Sequence, residues 1–226
     1  MPNWAYSTLT AIGAPSDVDA CVAQLAKPYD REFVSLVNKD GELVGERETA
    51  TVKQDFSFWN IVRPSDDIIE EYNSVRRADN TRTGWLPEAI TGPGSLLEED
   101  RKAPISNHWY DWNIRNWGTK WDTDAEFERF APDHAFYRFE TAWSPPVDAI
   151  TALSAQHPSL VFTLEWEEEQ GFGGVLEFRG GSVEELESWD IPDSHEDHEK
   201  RERACVCEFD DDPQYWYDDC PREVAA

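Results

Sequence analysis

The sequence predicts an α+β fold in which helices cover one face of a mainly antiparallel sheet. Short segments with alternating apolar and polar residues are typical of half-buried strands, and segments whose apolar residues recur at helical spacing separate them. The predicted order is β-α-(ββ)-β, an insertion, and then β-α-β-β. Two split β-α units of this kind favour an α+β sandwich.

The first β-α unit is predicted at the start of the chain. Residues Trp4–Ile12 alternate as a strand, and the glycine and proline of segment 13–16 end it. The following helix has one apolar stripe, formed by Val18, Cys21, Val22 and Leu25. We interpret Cys21 as a core residue rather than a nucleophile, because free cysteines are among the most buried residue types.

A hairpin and a second helix are predicted next. Glu32–Val37 and Glu42–Val52 flank an Asp-Gly pair, which favours a tight turn between two strands. Phe56–Val62 is predicted as a further strand. Ser65 can then cap a helix, one face of which is formed by Ile68, Tyr72 and Val75.

Residues 76–134 are predicted to form an insertion. It begins as a polar stretch rich in glycine and proline, typical of a loop, and continues into the densest aromatic run of the chain. Two interpretations of that run stay open: an exposed surface that stacks on a base or binds a partner, or a cover over the sheet. The residues concerned are Trp109, Trp112 and Trp117, with Asp111 and Asn113 as backbone caps in the second case.

The second β-α unit follows the insertion. Phe136–Trp143 alternates as a strand, and two prolines then open a helix. Leu160–Glu167 is predicted as a half-buried strand, and three glycines turn the chain into its hairpin partner Val175–Phe178. The domain is predicted to end at Gly181.

Composition restricts the classes of function. The chain has 226 residues, with 20 Lys and Arg against 47 Asp and Glu, and a formal net charge of −27. Direct binding to nucleic acid or to a membrane is not expected, because affinity for phosphates depends on basic side chains. The 11 tryptophans indicate a folded chain, because disordered acidic chains are poor in aromatic residues. The four cysteines and the lack of a recognisable targeting segment predict a cytoplasmic protein.

Residues 182–226 form an acidic C-terminal extension. This segment carries 16 acidic and four basic side chains, and blocks of this kind are commonly solvated or act as interaction segments. It also contains several aromatic residues. We therefore predict that part of it docks on the sandwich.

Three segments carry a resemblance to a known family. They are the runs MPNWAYSTLTAIG, WYDWNIRNWGTKWD and FYRFETAWSPP. Over residues 1–181 the chain resembles the YubB-like ferredoxin-like proteins of phages and plasmids. The resemblance implies a ferredoxin-like fold, which agrees with the predicted element order, and a mobile-element context. Ala5 stands where relatives often have cysteine, so no thiol function is implied there.

The acidic extension contains residue types that bind zinc. They are His195 and His198, then Cys205 and Cys207 in a C-x-C pair, with Cys220 behind. Paired zinc cysteines are usually separated by two to four residues, so the spacing is unfavourable. We therefore expect no metal and no other cofactor, and a docked or solvated acidic segment instead.

No pattern of residues indicates an enzyme. Gly171–Gly174 follows several glutamates, so a bound phosphate would meet like charge there, and a hairpin turn is the better interpretation. Glu165 and Glu167, with Asp133 or Glu140, form a conceivable carboxylate set for a metal-dependent nuclease. A nucleic-acid-processing enzyme is therefore one alternative function, and a structural or regulatory protein of the mobile element is another.

Charge and family context together predict the leading function. The 27 net charges, if all displayed, would match the phosphates of roughly 14 base pairs of duplex. We expect a non-enzymatic phage- or plasmid-type protein in the host cytoplasm. It would inhibit a basic nucleic-acid-binding defence complex, such as a CRISPR effector or restriction enzyme, by nucleic-acid mimicry. The predicted partner-binding residues are Glu167, Glu168, Glu169, Asp210, Asp211, Asp212, Asp218 and Asp219 as phosphate-like groups, with Trp216 and Tyr217 as anchors.

Overall fold

The strands and helices are taken from a computed structural model, which describes residues 3–39, 42–81, 109–209 and 212–221. The strands are β1 Trp4–Ile12, β2 Tyr29–Lys39, β3 Glu42–Val52, β4 Glu126–Ala131, β5 His134–Ala142, β6 Val161–Glu168, β7 Gly173–Arg179 and β8 Ser182–Trp189. The α-helices are α1 Pro15–Leu25, α2 Asp66–Thr81, α3 Trp109–Trp117, α4 Val147–Gln156, α5 His195–Lys200 and α6 Val206–Phe209. Short 3-10 helices lie at Phe58–Asn60 and Pro213–Tyr215. None of the described helices is long and apolar enough to cross a membrane.

A six-stranded antiparallel sheet in the order β4-β5-β1-β6-β7-β8 forms the centre of the fold. β1 lies between β5 and β6 and pairs with both along nearly its whole length. The order β4-β5-β1-β6 is that of two interleaved β-α-β units, the ferredoxin-like arrangement, and β7 and β8 extend it at one edge. The predicted α+β class is therefore confirmed, and β2 and β3 form the predicted hairpin as a separate two-stranded sheet.

The hydrophobic core lies between one face of the six-stranded sheet and the helices. Alternate residues of β1 are buried, including the fully buried Leu9, while the residues between them face away. Phe162 and Leu164 from β6 and Ile150 from α4 join the same core cluster. Cys21 is buried there too, which confirms its prediction as a core residue. Each fully buried side chain of this size contributes about 1.5–3 kcal/mol to folding.

The prediction of a strand at Phe56–Val62 is wrong. It forms the 3-10 helix Phe58–Asn60, and the Ser57 side chain caps it by accepting a hydrogen bond from the Trp59 N–H. Phe56, Phe58 and Trp59 are all buried, so consecutive apolar side chains of this irregular segment pack into the core. A short continuous apolar run does not distinguish such a buried irregular segment from a buried strand.

Two strands occupy segments that were not predicted as strands. β4 lies inside the predicted insertion 76–134, of which residues 82–108 are outside the described part of the chain. β8 is the first part of the acidic extension and pairs with β7. The predicted domain boundary after Gly181 therefore falls inside a β-hairpin.

The aromatic run of the insertion forms α3 and packs on the core. The Trp117 indole is buried, and its Nε1–H donates a hydrogen bond to the Val62 carbonyl at 2.9 Å. Trp112 packs against the core cluster and meets Trp117 edge to face. Asn113 donates to the Lys120 carbonyl at 2.7 Å, as a backbone cap. For these residues the structure favours the interpretation of a cover over the sheet.

A single carboxylate, that of Asp122, joins three segments on this side of the core. It accepts hydrogen bonds from the Ser57 hydroxyl at 2.6 Å and the Phe58 N–H at 2.7 Å. It also accepts from the Tyr29 hydroxyl at 3.2 Å and the Thr123 N–H at 3.0 Å. Burial raises the pKa of Asp122, and these hydrogen bonds oppose that shift. The hairpin, the 3-10 helix and the segment that leads into β4 are therefore linked through one side chain.

We expect Asp122→Ala to destabilise the fold by about 2–4 kcal/mol, because it leaves the buried Phe58 N–H and Ser57 hydroxyl without their acceptor. Asp122→Asn keeps one oxygen acceptor, so its loss should be smaller. Urea unfolding followed by tryptophan fluorescence measures both. Asp133→Ala, at an exposed turn, is the control and should stay within about 0.5 kcal/mol of the wild type. An equal effect of Asp122→Ala and Asp133→Ala would contradict the linking role.

Candidate interaction face

The face of the six-stranded sheet opposite the core is open to solvent. Residues directly paired across antiparallel strands share a face, so the register identifies its members. Tyr6 of β1 pairs with Glu140 on β5 and with Glu167 on β6. Thr8, two residues on, pairs with Glu165 on β6. The open face is therefore built around β1, with glutamates on both sides of it.

Eight glutamates lie on this open surface, which we call the acidic face. They are Glu126 and Glu128 of β4, Glu140 of β5, Glu165 and Glu167 of β6, Glu177 of β7, and Glu184 and Glu187 of β8. Strand geometry sets the positions of these carboxylates. Side chains on one face repeat every ~6.7 Å along a strand, and neighbouring strands lie ~4.8 Å apart. Carboxylates therefore form a grid over all but one of the six strands.

Three arginines contact the acidic face. Arg138 lies 3.6 Å from Glu126, and Arg203, from the C-terminal extension, forms an ion pair with Glu167. Arg179 lies 2.7 Å from Glu177, and its hydrogen bonds hold the pKa of that carboxyl below its usual value. The other five glutamates form no ion pair with a cationic side chain of the described residues. The face is thus strongly negative after these pairs are counted.

A shallow groove of about 770 Å³ runs across the centre of the acidic face. Tyr6 lines it with 49% of its surface exposed. Carboxylates from both sides line it, namely Asp124, Glu126, Glu140, Glu165 and Glu167. The groove therefore presents an exposed aromatic ring between negative charges.

The three glutamates predicted as phosphate-like groups at the end of β6 have different positions. Glu167 lies on the acidic face, paired with Arg203 and accepting a hydrogen bond from the Trp189 indole. Glu169 is exposed. Glu168 is only 2% exposed, and its carboxylate accepts a hydrogen bond from the Gln170 N–H at 2.7 Å. The prediction of Glu168 as an exposed phosphate-like group is therefore wrong, because its side chain points into the structure and holds the turn.

The predicted partner-binding residues of the extension are divided between contacts within the chain and solvent. Asp219 accepts hydrogen bonds from the first two N–H groups of α5, and these hold its pKa below the usual value. The Tyr217 hydroxyl donates to the Pro192 carbonyl at 3.0 Å, and Trp216 is partly buried. Asp212 and Asp218 are exposed, whereas Asp210 and Asp211 lie outside the described residues.

Four of the five zinc-type residues of the extension come together, and His198 is the one that does not join them. His195, Cys205 and Cys207 form a cluster with Cys220, and their ligand atoms all lie within 4.8 Å of one another. His198 is not a member, because its ring packs against Tyr217 at 5.7 Å between centroids. Burial acts to raise the pKa of Cys205, but hydrogen bonds from the Cys207 backbone and from neighbouring side chains bring it below its usual value. The expectation drawn from the C-x-C spacing does not account for this cluster.

Residues 116–208 match the family model described as the ferredoxin-like domain in Api92-like protein. The chain is thus similar to Api92-like proteins from the end of α3 through most of α6, and the ferredoxin-like prediction is confirmed there. The resemblance covered 1–181, whereas the matched region includes part of the acidic extension. The crystal structure of a protein api92 from Yersinia pseudotuberculosis aligns with 85% of this chain and 99% of that chain, at 11% identity and a TM-score of 0.43. No curated protein matches the sequence.

Most of the acidic face could not be predicted from the sequence. The pair Glu165 and Glu167 was visible as alternating acids on a predicted strand, and Glu126 and Glu128 repeat that spacing. β4 and β8 were not predicted as strands, so the glutamates on them had no sheet to belong to. Their signal was alternation within a polar segment, which is weak without knowledge of the pairing partner.

We expect Glu165→Gln to stabilise the fold by about 0.2–1 kcal/mol at low ionic strength, because it removes one of several like charges on neighbouring strands. High salt should reduce this gain, because exposed charges are screened. Glu126→Gln on the same face is the matched control, since it removes a charge paired with Arg138 and should give no gain. Urea unfolding at two salt concentrations measures both. An equal gain for the two variants would contradict the described pairing of charges.

Proposed function

We propose that this protein is a non-enzymatic inhibitor that binds a basic nucleic-acid-binding defence complex, such as a CRISPR effector or restriction enzyme, in the host cytoplasm. The acidic face is the observation that carries the proposal. The sheet presents eight glutamates on one surface, with an exposed tyrosine at its centre. A groove that binds nucleic acid through Lys and Arg is complementary to such a surface.

The density of charge on the acidic face resembles that of one nucleic-acid strand. Six strands at ~4.8 Å spacing span about 24 Å, a length over which one strand of DNA carries about seven phosphates. The face carries eight glutamates, of which three contact arginines. Five to eight negative charges thus bracket the single-strand value, whereas a duplex would carry about 14. A groove that holds one strand is therefore the better match.

Aromatic side chains on the same surface supply the contacts that bases make. Tyr6 is half exposed at the centre, and Phe136 pairs with Thr10 on the same face. Phe130, at the end of β4, is 61% exposed and packs against Phe136. Basic single-strand grooves commonly combine phosphate contacts with stacking on aromatic rings. A mimic that offers both charge and rings fits such a groove.

A metal-dependent nuclease, the alternative enzyme, has less support from the arrangement. β1 separates β5 from β6, which places Glu140 about 10 Å from the strand that carries Glu165 and Glu167. Within the described part of the chain, the ligand atoms of three or more His, Cys, Asp or Glu residues approach one another only in the His195 cluster. Cleavage of nucleic acid by the purified protein with added Mg²⁺ or Mn²⁺ would favour the enzyme instead.

The proposal predicts that binding depends on the acidic face rather than on total charge. A CRISPR effector or restriction enzyme recovered from host lysate, and then purified, is titrated with labelled DNA and with this protein as competitor. One triple variant removes three charges of the acidic face, by Glu140→Gln, Glu165→Gln and Glu187→Gln. It should weaken competition about tenfold or more at low salt. The slope of affinity against salt should also decrease, because fewer ion pairs form.

The matched control changes the same net charge elsewhere. The control variant combines Asp67→Asn on α2, Asp133→Asn on the β4–β5 turn and Asp148→Asn on α4. It should leave competition within about threefold of the wild type. Neutralisation of Asp210–Asp212 tests the contribution of the extension separately. Equal losses in the two triple variants would contradict a role for the acidic face. Failure to bind any basic nucleic-acid-binding complex would contradict the mimicry and leave solubility as the role of the charge.

A further inference from the structure

Four side chains with the chemistry of a zinc site meet in the C-terminal extension. The Cys205 and Cys220 sulfurs lie 3.6 Å apart, and the Cys207 sulfur lies 3.5 Å from His195 Nδ1. All four ligand atoms lie within 4.8 Å of one another. The three cysteines are free thiols, and Cys205 and Cys207 are almost completely buried. Three stretches of the extension, at residue 195, residues 205–207 and residue 220, thus converge on one point.

These distances agree with a tetrahedral Cys₃His zinc site. With Zn–S of about 2.3 Å and Zn–N of about 2.0–2.1 Å, a tetrahedron has S–S edges of about 3.8 Å and S–N edges of about 3.6 Å. Two of the observed separations are 3.6 Å between sulfurs and 3.5 Å between sulfur and nitrogen, and all four ligand atoms lie within 4.8 Å of one another. The cluster is therefore close to the size that the ion requires, and small shifts of the side chains would complete the tetrahedron.

Local structure holds each ligand in place. His195 is the first residue of α5, and Asp219 and Ser194 accept hydrogen bonds from N–H groups of that helix. Cys205 and Cys207 flank the start of α6, where the Glu208 carboxylate accepts from the Cys205 N–H at 2.9 Å. These contacts orient the ligands without using their ligand atoms.

The second nitrogen of His195 lies near a carboxylate. Its Nδ1 faces the sulfurs, and its Nε2 lies 3.7 Å from the Glu199 carboxylate one turn further along α5. Metal-binding histidines usually direct their other N–H to a carboxylate or carbonyl, which fixes the tautomer that ligates. The arrangement therefore favours Nδ1 as the ligand atom.

We propose that His195, Cys205, Cys207 and Cys220 bind one structural zinc ion. Three thiolates and one imidazole favour zinc over hard cations such as Mg²⁺ or Ca²⁺. All four positions are filled by protein, so the site is closed and structural rather than catalytic. This inference does not depend on the proposed inhibition.

The zinc ion would fasten the C-terminal extension beside the acidic face. Arg203 forms an ion pair with Glu167, and Arg201 donates to the Gly171 carbonyl at 3.1 Å. Both arginines lie between the ligands His195 and Cys205, so fixing those two ligands also restrains the chain that contacts the sheet. Cys220 attaches the following segment to the same centre. Loss of the metal should therefore release residues 195–221 while the six-stranded sheet persists.

The test is the zinc content of the full-length protein purified without chelators, measured by elemental analysis. We expect about one zinc per chain in the wild type and in the controls His198→Ala and Cys21→Ala, whose side chains are not ligands. Cys220→Ser and His195→Ala should lose zinc, and His195→Cys should retain it because a thiolate replaces the imidazole. When cobalt replaces zinc, every protein that retains zinc should show the visible absorption of a tetrahedral thiolate site. Cys220→Ser and His195→Ala should not show it.

A second readout separates loss of the metal from loss of the fold. In Cys220→Ser, limited proteolysis should cleave the extension at least about tenfold faster than in the wild type, while unfolding of the core remains cooperative. EDTA treatment of the wild type should produce the same cleavage, and added zinc should reverse it. Absence of zinc from the wild type after reduction and incubation with Zn²⁺ would overturn the proposal. Full zinc retention by both Cys220→Ser and His195→Ala would also overturn it.

Discussion

In the described part of the chain, α1 and α4 pack on one face of the six-stranded sheet, and the rest of the molecule depends on this constraint. A chain with 39% hydrophobic and 30% charged residues supplies apolar side chains for one buried layer. β1 shows the division directly, because Leu9 is fully buried whereas Tyr6, on the opposite face, is half exposed. The period of two along every strand extends this division across the sheet. The opposite face is therefore available to carry charge, and in this protein it carries glutamates.

The parts of the fold with strong periodicity could be predicted, and those that depend on long-range contacts could not. β1, α1, α4 and β6 have alternating or helical patterns that match their observed bounds closely. Phe56–Val62 has no such pattern, and its conformation is set by the distant Asp122, 64 residues beyond the N–H of Phe58. β8 is exposed on both faces and rich in acids, so only its hydrogen bonds to β7 identify it as a strand. An edge strand of this kind has little apolar signal of its own, and its charge discourages pairing with other chains.

The candidate sites show the same limit. The acidic composition indicates that negative charge matters for function, but the sequence alone does not place Glu168 in the interior or bring Glu140 and Glu165 to the two sides of one strand. The separation of the cysteines along the chain is also a poor guide to their separation in space. The cluster depends instead on Cys220, which reaches Cys205 because Asp219 caps α5 and returns the chain to it. Spacing rules describe ligands on one local turn, whereas this site joins three separate stretches of the chain.

Chemical labelling of carboxyl groups tests the central claim most directly. The protein is modified with a carbodiimide and an amine, alone and in the presence of a purified basic nucleic-acid-binding complex, and the modified residues are identified by mass spectrometry. We expect Glu140, Glu165 and Glu187 to be protected in the complex, because they meet basic side chains of the partner. Asp67 and Asp148, on the helical side, should react at the same rate in both samples. Protection confined to the helical side, with the acidic face as reactive as in the free protein, would contradict the account.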